Sequence, residues 1–360
     1  MEYKKYYISD ENNPEKSVPT IYFLNLFDKN KNWKRVEDEN ISKDINFTYT
    51  IGSYIDVQQD CITYRFKPKH RNFLTNKSIL YKTIRDNFKE LSDNHMAYQV
   101  DVDINNLDQY KKLFDEKKFL ILKPTWGFER SGIQIFNTYD KFLEFMKNKG
   151  IYTYKKAIER DPSNTYVLAE YITNLLKYNN RILDFRIFFL VSYIDNIYRG
   201  YIIKPIVMNL SPYEQSEKID PSKTIENITL PGNYADYFLT DLQKEIGREK
   251  TKIIMNQIKH IVSHLLKLIK KYKIMEPYED NAYELFGLDM MVDKDYRVRL
   301  IEFNEKTGVK GYTEDVYENM SSAFIHATIN KKYEDTKYEI KLDENIKKNI
   351  IRISTFKKYI

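Results

Sequence analysis

Two strand-like runs in this chain are separated by a short polar turn. Residues Tyr283–Val292 and Tyr296–Asn304 are dense in apolar and aromatic side chains, and Asp293-Lys294-Asp295 between them is turn chemistry, so the segment predicts a β-hairpin. Side chains two apart on a strand leave the same face, which puts Glu302 and Asn304 together. With the turn near Lys294, Asp289 on the partner strand lies within about two residue pairs of Glu302. Two carboxylates and an amide oxygen are hard ligands. They suit Mg²⁺, which takes one or two carboxylates and completes its shell with water and substrate phosphates. The neighbours Leu288, Met290, Leu300, Ile301 and Phe303 argue against a freely solvated strand, and buried carboxylates without a cation are costly. A strand end with ordinary surface charges would carry the same letters, so the hairpin needs support from the rest of the chain.

That support comes in sequence order. The apolar run 119–123 ends in Lys123-Pro124 and leads into a loop with Gly127, Ser131 and Gly132. A lysine at a strand end can hold phosphate while backbone N–H groups of the loop cover it. The loop is not a Walker A motif, which needs Gly-Lys-Ser/Thr opening a helix. Asp184-Phe185-Arg186 places an acid and a base on one face of a further strand, and a partly buried salt bridge is the plainer reading of that pair. His260 and His264 stand at helical i, i+4 spacing, but Ile-Val-Ser between them lacks the glutamate of a zinc-protease helix, so they read as a packed or solvent-facing pair.

Composition narrows the class. The 360 residues allow two or three domains, and 42% hydrophobic with 31% charged residues is an ordinary globular mixture. A net charge of +6 is too slight to argue for nucleic acid. The one cysteine, Cys61, excludes a disulfide framework and a thiolate zinc site. The first residues lack the apolar run of a secretory signal, and no stretch approaches 18 apolar residues, so a cytoplasmic chain without a membrane partner is expected. Further strands are expected at 165–172, 184–193 and 198–207. Helices are expected at 79–91, 138–149 and 248–273, the last burying Ile253, Ile254, Ile258, Ile261, Val262, Leu265, Leu266 and Ile269.

The order of these pieces resembles the tubulin tyrosine ligase-like family of the ATP-grasp superfamily. The resemblance rests on Asn76-Lys77-Ser78, Ile121-Leu122-Lys123-Pro124 with Gly132-Ile133, Val167–Ile172, Leu183-Asp184-Phe185-Arg186, Phe286-Gly287-Leu288-Asp289 and Leu300-Ile301-Glu302-Phe303-Asn304, over about residues 70–310. It implies an α/β ATP-grasp fold with the nucleotide in a cleft between two domains. The expected division is an N-terminal domain 1–95, a central domain 96–200 with the Lys-Pro loop, a C-terminal domain 201–330 with the hairpin, and a basic tail 331–360.

The resemblance also implies roles. Asp289, Glu302 and Asn304 would hold Mg²⁺, with Glu302 essential to turnover. Lys123 and Gly132 would meet the nucleotide, Lys77 the γ-phosphate or the phosphorylated substrate, and the backbone of Glu170, Tyr171 and Ile172 the adenine. Asp184 and Arg186 would lie by the nucleotide and the transferred group, and Lys204 by the carboxylate substrate. The implied activity is that of an ATP- and Mg²⁺-dependent ligase adding a free amino acid, glutamate or tyrosine, to an acidic protein tail such as that of tubulin, through an acylphosphate. The expected enzyme is a monomer. Its rivals are an ATP-grasp ligase acting on a small peptide and a catalytically inactive relative that binds microtubules or another partner. Departures from the family pattern at Arg130, Ala169, Glu170, Ile182 and 305–308 bear on the amino acid and the acceptor more than on ATP chemistry.

Overall fold

The computed structural model describes residues 3–10, 18–36, 45–51, 61–64, 72–125, 133–150, 165–211, 237–273, 281–304, 313–337 and 339–353. The N-terminal portion supplies β1 (Lys4–Asp10), α1 (Val18–Asp28), β2 (Trp33–Arg35), β3 (Phe47–Ile51) and β4 (Ile62–Tyr64). Next come α2 (Lys77–Asn87), β5 (Gln99–Asp101), β6 (Leu120–Pro124), β7 (Gln134–Phe136), α3 (Tyr139–Phe145) and β8 (Tyr166–Glu170). The C-terminal portion holds β9 (Lys177–Tyr178), β10 (Arg181–Ile194), β11 (Ile197–Leu210), α4 (Arg248–Tyr272), β12 (Asn281–Val292), β13 (Val298–Asn304), α5 (Glu314–Ala327) and β14 (Ile350–Ile353). The helical spacing at 79–91 resolves into α2 and a second helix, Lys89–His95. They break at Phe88, whose φ of −144° is not helical.

The strands form two sheets. The small one is antiparallel, in the order β5-β8-β6-β7. The large one runs β14-β11-β10-β12-β4-β3-β1-β2, with β13 also on β12 and β9 on β10. One edge of β12 serves two neighbours: Asn281–Tyr283 pair in parallel with β4, and Gly287–Val292 pair antiparallel with β13. Residues 4–64 and 181–304 therefore share one sheet, residue 200 lies inside β11, and the basic tail contributes edge strand β14. The β10–β11 hairpin turns on Asp195 (φ 51°) and Asn196 (φ 61°), and the β9–β10 turn on Asn179 (φ 49°) and Asn180 (φ 59°). Short polar side chains tolerate this left-handed backbone, which matches the right-handed twist of hairpin strands.

Each face of the large sheet is covered. Helix α4 buries Ile254, Ile258, Ile261, Val262, Leu265, Leu266 and Ile269, spaced by three and four, against Phe185, Ile187, Phe189, Ile202, Phe286 and Leu288. Ile253, expected on that face, is 50% exposed. The helix lies directly on the sheet at Gly200, where a Cβ would stand 2.8 Å from Leu266 Cδ2. Helices α1 and α5 cover the opposite face, packing on Phe188, Leu190, Tyr201, Ile203, Tyr283 and Leu285. In the small sheet, Phe142 of α3 packs on Leu120, Leu122, Phe136 and Leu168. The other face presents Phe119, Ile121, Ile135 and Ala169, flanked by Ile133 and Tyr171. Among the described residues no helix is long and apolar enough to cross a membrane.

Candidate active site

Strand alternation decides where the polar groups point. Leu183, Phe185 and Ile187 of β10, and Leu288 and Met290 of β12, enter the core beneath α4. Asp184, Arg186 and Asp289 therefore leave the other face. Arg186 stands opposite Asp289 across β10–β12, and Asp289 opposite Glu302 across β12–β13. The proximity expected of Asp289 and Glu302 is thus a direct cross-strand pair.

The side chains close into one network. Arg186 donates to both carboxylate oxygens of Asp289, from Nε at 2.5 Å and from Nη2 at 3.2 Å. Asn304 Nδ2 donates to Asp289 Oδ2 and to Glu302 Oε1, each at 3.0 Å. Lys77 Nζ lies 3.2 Å from Glu302 Oε2. The lysine opens α2, where Asn76 caps the helix by accepting from the N–H groups of Ser78 and Ile79. Lys123, half-buried, approaches from β6 on the face shared with Ile121. Asp184 accepts from Asn209 Nδ2 at 2.7 Å across β10–β11.

Burial and charge act against each other here. Burial pushes Asp289 well above the ordinary carboxylate range. The Arg186 guanidinium opposes the rise, while the charges of Glu302 and Asp184 add to it. Burial would raise Glu302 too, but the Lys77 cation and the hydrogen bonds around its carboxylate hold it at about 2. Lys123 is lowered to about 8, first by burial and then by the charge of Lys77, against the pull of Glu302. Lys123 therefore senses the large-sheet cluster across the cleft between the two sheets.

The segment after β8 joins the sheets. Glu170 N–H donates to Tyr98 O at 2.8 Å and Tyr171 N–H to Phe119 O at 3.0 Å. Ile172 makes no hydrogen bond among the described residues. Leu176 N–H then donates to Val292 O, and Asn174 O accepts from Lys294 N–H, docking the chain on the β12–β13 turn. The Glu170 carboxylate itself pairs with Lys117 at 3.1 Å.

Lys204 stands outside this cluster. It follows the alternation of Ile202 and Ile206 onto the α4 face, where its charge is felt by Lys259 of that helix. Gly132 lies outside the described residues, as do Gly127, Arg130 and 305–308. His260 and His264 pack as a ring pair, 4.4 Å between centroids, beside Phe88 and His95. Two further residues belong with the site. Asn209 was signalled only by its hairpin position opposite Asp184. Gly287 lies so close to Arg186 that a Cβ there would stand 3.1 Å from its Cδ.

Comparison with known proteins accords with this geometry. Residues 55–341 match the family model of the Tubulin-tyrosine ligase family. Tubulin glycylase 3F of Tetrahymena thermophila is 23% identical over 271 residues, which is 70% of this chain. The chain spans 28% of that protein's length. The C-terminal domain from K. lactis Pby1, an ATP-grasp enzyme interacting with the mRNA decapping enzyme Dcp2, superposes with a TM-score of 0.69 at 17% identity, covering 98% of this chain and 99% of that one. The profile covers well over half of the sequence and the superposition shows the fold, so this chain is a divergent member of the tubulin-tyrosine ligase family with the ATP-grasp fold.

Proposed function

We propose that this chain is an ATP- and Mg²⁺-dependent ligase that joins a carboxylate to an amine, adding an amino acid to an acidic protein tail such as that of tubulin. The observation that carries the reading is the convergence of Lys77, Lys123 and Arg186 on Asp289, Glu302 and Asn304. Family membership supports it. The name of the Tetrahymena relative adds glycine to glutamate and tyrosine as the amino acid transferred.

The donor set fits Mg²⁺. Its carboxylates are hard oxygen ligands, as is the Asn304 amide oxygen once that side chain turns its oxygen inward, and a cation would favour the charged form that burial of Asp289 disfavours. Asp289, Glu302 and Asn304 would hold it, and the bound ion would neutralise phosphate charge. Lys77, Lys123 and Arg186 would orient the phosphoryl oxygens and meet the negative charge that develops on them. The open N–H of Ile172 and the apolar patch of Ile121, Ile135 and Ala169 suit a purine. In the reaction, the acceptor carboxylate takes the γ-phosphoryl group and ADP leaves. The amine then attacks the acyl carbon, phosphate departs and the nitrogen loses a proton. Positioning does the work, with no side-chain nucleophile. Lys204 has no part in this reading. The lobes expected to move are the small sheet with α3 and the large sheet, joined through 170–176.

The test is incubation with tubulin, ATP, Mg²⁺ and labelled glycine, glutamate or tyrosine in the cytoplasmic pH range. Incorporation with matching ADP release supports the proposal. Mg²⁺-dependent ATP binding without incorporation of any amino acid refutes the tubulin-tail acceptor and points to a small peptide. Failure to bind ATP with Mg²⁺ in calorimetry refutes the ligase and favours a partner-binding relative.

A further inference from the structure

One stripe of α5 breaks an otherwise apolar packing face. Asn319, Ser322 and His326 recur at three and four residues and so share it. The stripe faces the sheet edge where β11 pairs with β14, with Tyr201 directly opposite Arg352. Asn319 is satisfied, its Oδ1 accepting from Asn349 Nδ2 at 2.9 Å. Tyr201 and Ser322 are each 0% exposed, yet neither hydroxyl oxygen has a hydrogen-bond partner among the described residues. The His326 ring meets Tyr201 edge-on, 5.9 Å between centroids at 80°. Orphaned buried hydroxyls are destabilising. Phe and Ala would fill the same space without that cost.

The charges around this seam are mostly cations. His326 is depressed to about 4, first by burial and then by Lys331, Lys347 and Arg352, with Glu334 opposing. Burial raises Tyr201, while Arg199 and Arg352 lower it and Glu334 adds to the rise. Arg352 and Glu334 are sensed by both rings, which sets them around one space. Lys331 pairs with Glu334 at 3.3 Å and Lys347 with Glu344 at 2.7 Å. Arg199 donates to the carbonyls of Ile194 and Ile197. The Arg352 side chain is exposed and makes no hydrogen bond or ion pair among the described residues.

We propose that this seam binds a small oxyanion, a phosphate or a carboxylate, with Arg352 at its mouth and the hydroxyls of Tyr201 and Ser322 as donors at its floor. An oxyanion offers several acceptor lone pairs to two hydroxyls that lack one, and its charge matches a guanidinium with no carboxylate partner among the described residues. Water would satisfy the hydroxyls and leave the cationic excess. The seam is distinct from the cleft. Tyr201 lies eight positions along β11 from Asn209, roughly 26 Å at about 3.3 Å per residue. Two sources share the chemistry: free inorganic phosphate and the glutamate side chains of an acidic peptide.

The experiment follows the His326 ring by NMR through a pH titration of the full chain at constant ionic strength, in chloride, in inorganic phosphate and with a glutamate oligopeptide. Phosphate or the peptide should raise the His326 midpoint saturably, because an anion beside an imidazolium favours its charged form. Tyr201→Phe keeps the ring and removes one donor, and Arg352→Gln removes an exposed charge. Each should weaken binding roughly tenfold. A response to phosphate alone assigns the free ion, and a response to the peptide alone assigns a carboxylate chain. Identical His326 titrations in all three solutions would overturn the site, as would wild-type affinity in both variants.

Discussion

A methyl group built on Gly287 would stand 3.1 Å from both Cδ and Nη1 of Arg186. The arginine lies along β12 above that glycine to reach Asp289 two residues on. Gly287→Ala should push the guanidinium off Asp289. Overpacking of this kind costs about 1–3 kcal/mol, or roughly a tenfold to hundredfold loss of turnover. ADP release measures the loss. In an Arg186→Ala background the same change should cost nothing further, and an additive loss would show that Gly287 acts elsewhere.

Glu302 is the carboxylate on which Lys77 and Asn304 converge. Glu302→Gln keeps the shape and removes the charge. Turnover should vanish and Mg²⁺-dependent ATP binding should fall, while circular dichroism stays that of the wild type. Robust amino acid incorporation by this variant would sink the metal assignment.

A lysine with a pKa of about 8 loses its charge in mild alkali, where ordinary lysines keep theirs. If Lys123 meets the ATP phosphates, affinity for ATP should fall as pH rises through 8, by about tenfold between pH 7 and 9.5. Lys123→Arg, charged throughout, should flatten the profile measured by calorimetry. A profile unchanged by that substitution removes Lys123 from the nucleotide site.

His326 titrates near 4 in the folded protein against an ordinary 6.5. Between these values the unfolded chain holds a proton that the folded one lacks. Stability is therefore full above pH 6.5 and declines as pH falls toward 4. The buried share of the ring limits this to about 1–2 kcal/mol. His95, His260 and His264 are also depressed, chiefly by burial, and act in the same direction. The informative measurement is the difference in urea midpoint between wild type and His326→Gln across that window. It should shrink on acidification, and a constant difference would mean that His326 titrates normally.

What could be read from sequence was what short-range geometry controls. Asp289, Glu302 and Asn304 were legible as neighbours because a tight turn sets the approximate register and the period of two puts Glu302 and Asn304 on one face; the bulge between Asp289 and Met290 that brings Asp289 directly opposite Glu302 was not. Asp184 and Arg186 followed from the period of two, and the apolar stripe of α4 from helical spacing. Lys204 was assigned a role by the resemblance alone, and its alternation with Ile202 and Ile206 puts it on the α4 face instead. Lys77 reaches Glu302 by docking of a helix against a distant strand end, which no local pattern encodes. The resemblance named the residue, and only the fold brought it within 3.2 Å. The place of β4 beside β12 was illegible for the same reason, since that parallel partner lies far along the chain. Ile253 shows the limit of periodicity, since a residue adjacent to a buried one can still face water.

The seam between β4 and β12 has a kinetic consequence. Thr63 Oγ1 donates to Asn281 O across 218 positions, and Tyr283 Oη donates to Thr48 O across 235. Contacts of such high order form slowly, because a long loop must close before any pairing rewards it. During synthesis β4 emerges early beside β3 and must wait for Asn281 before its second parallel neighbour exists. Until then an unpaired strand edge is open to other chains, and the interval sets how exposed a nascent copy is to aggregation.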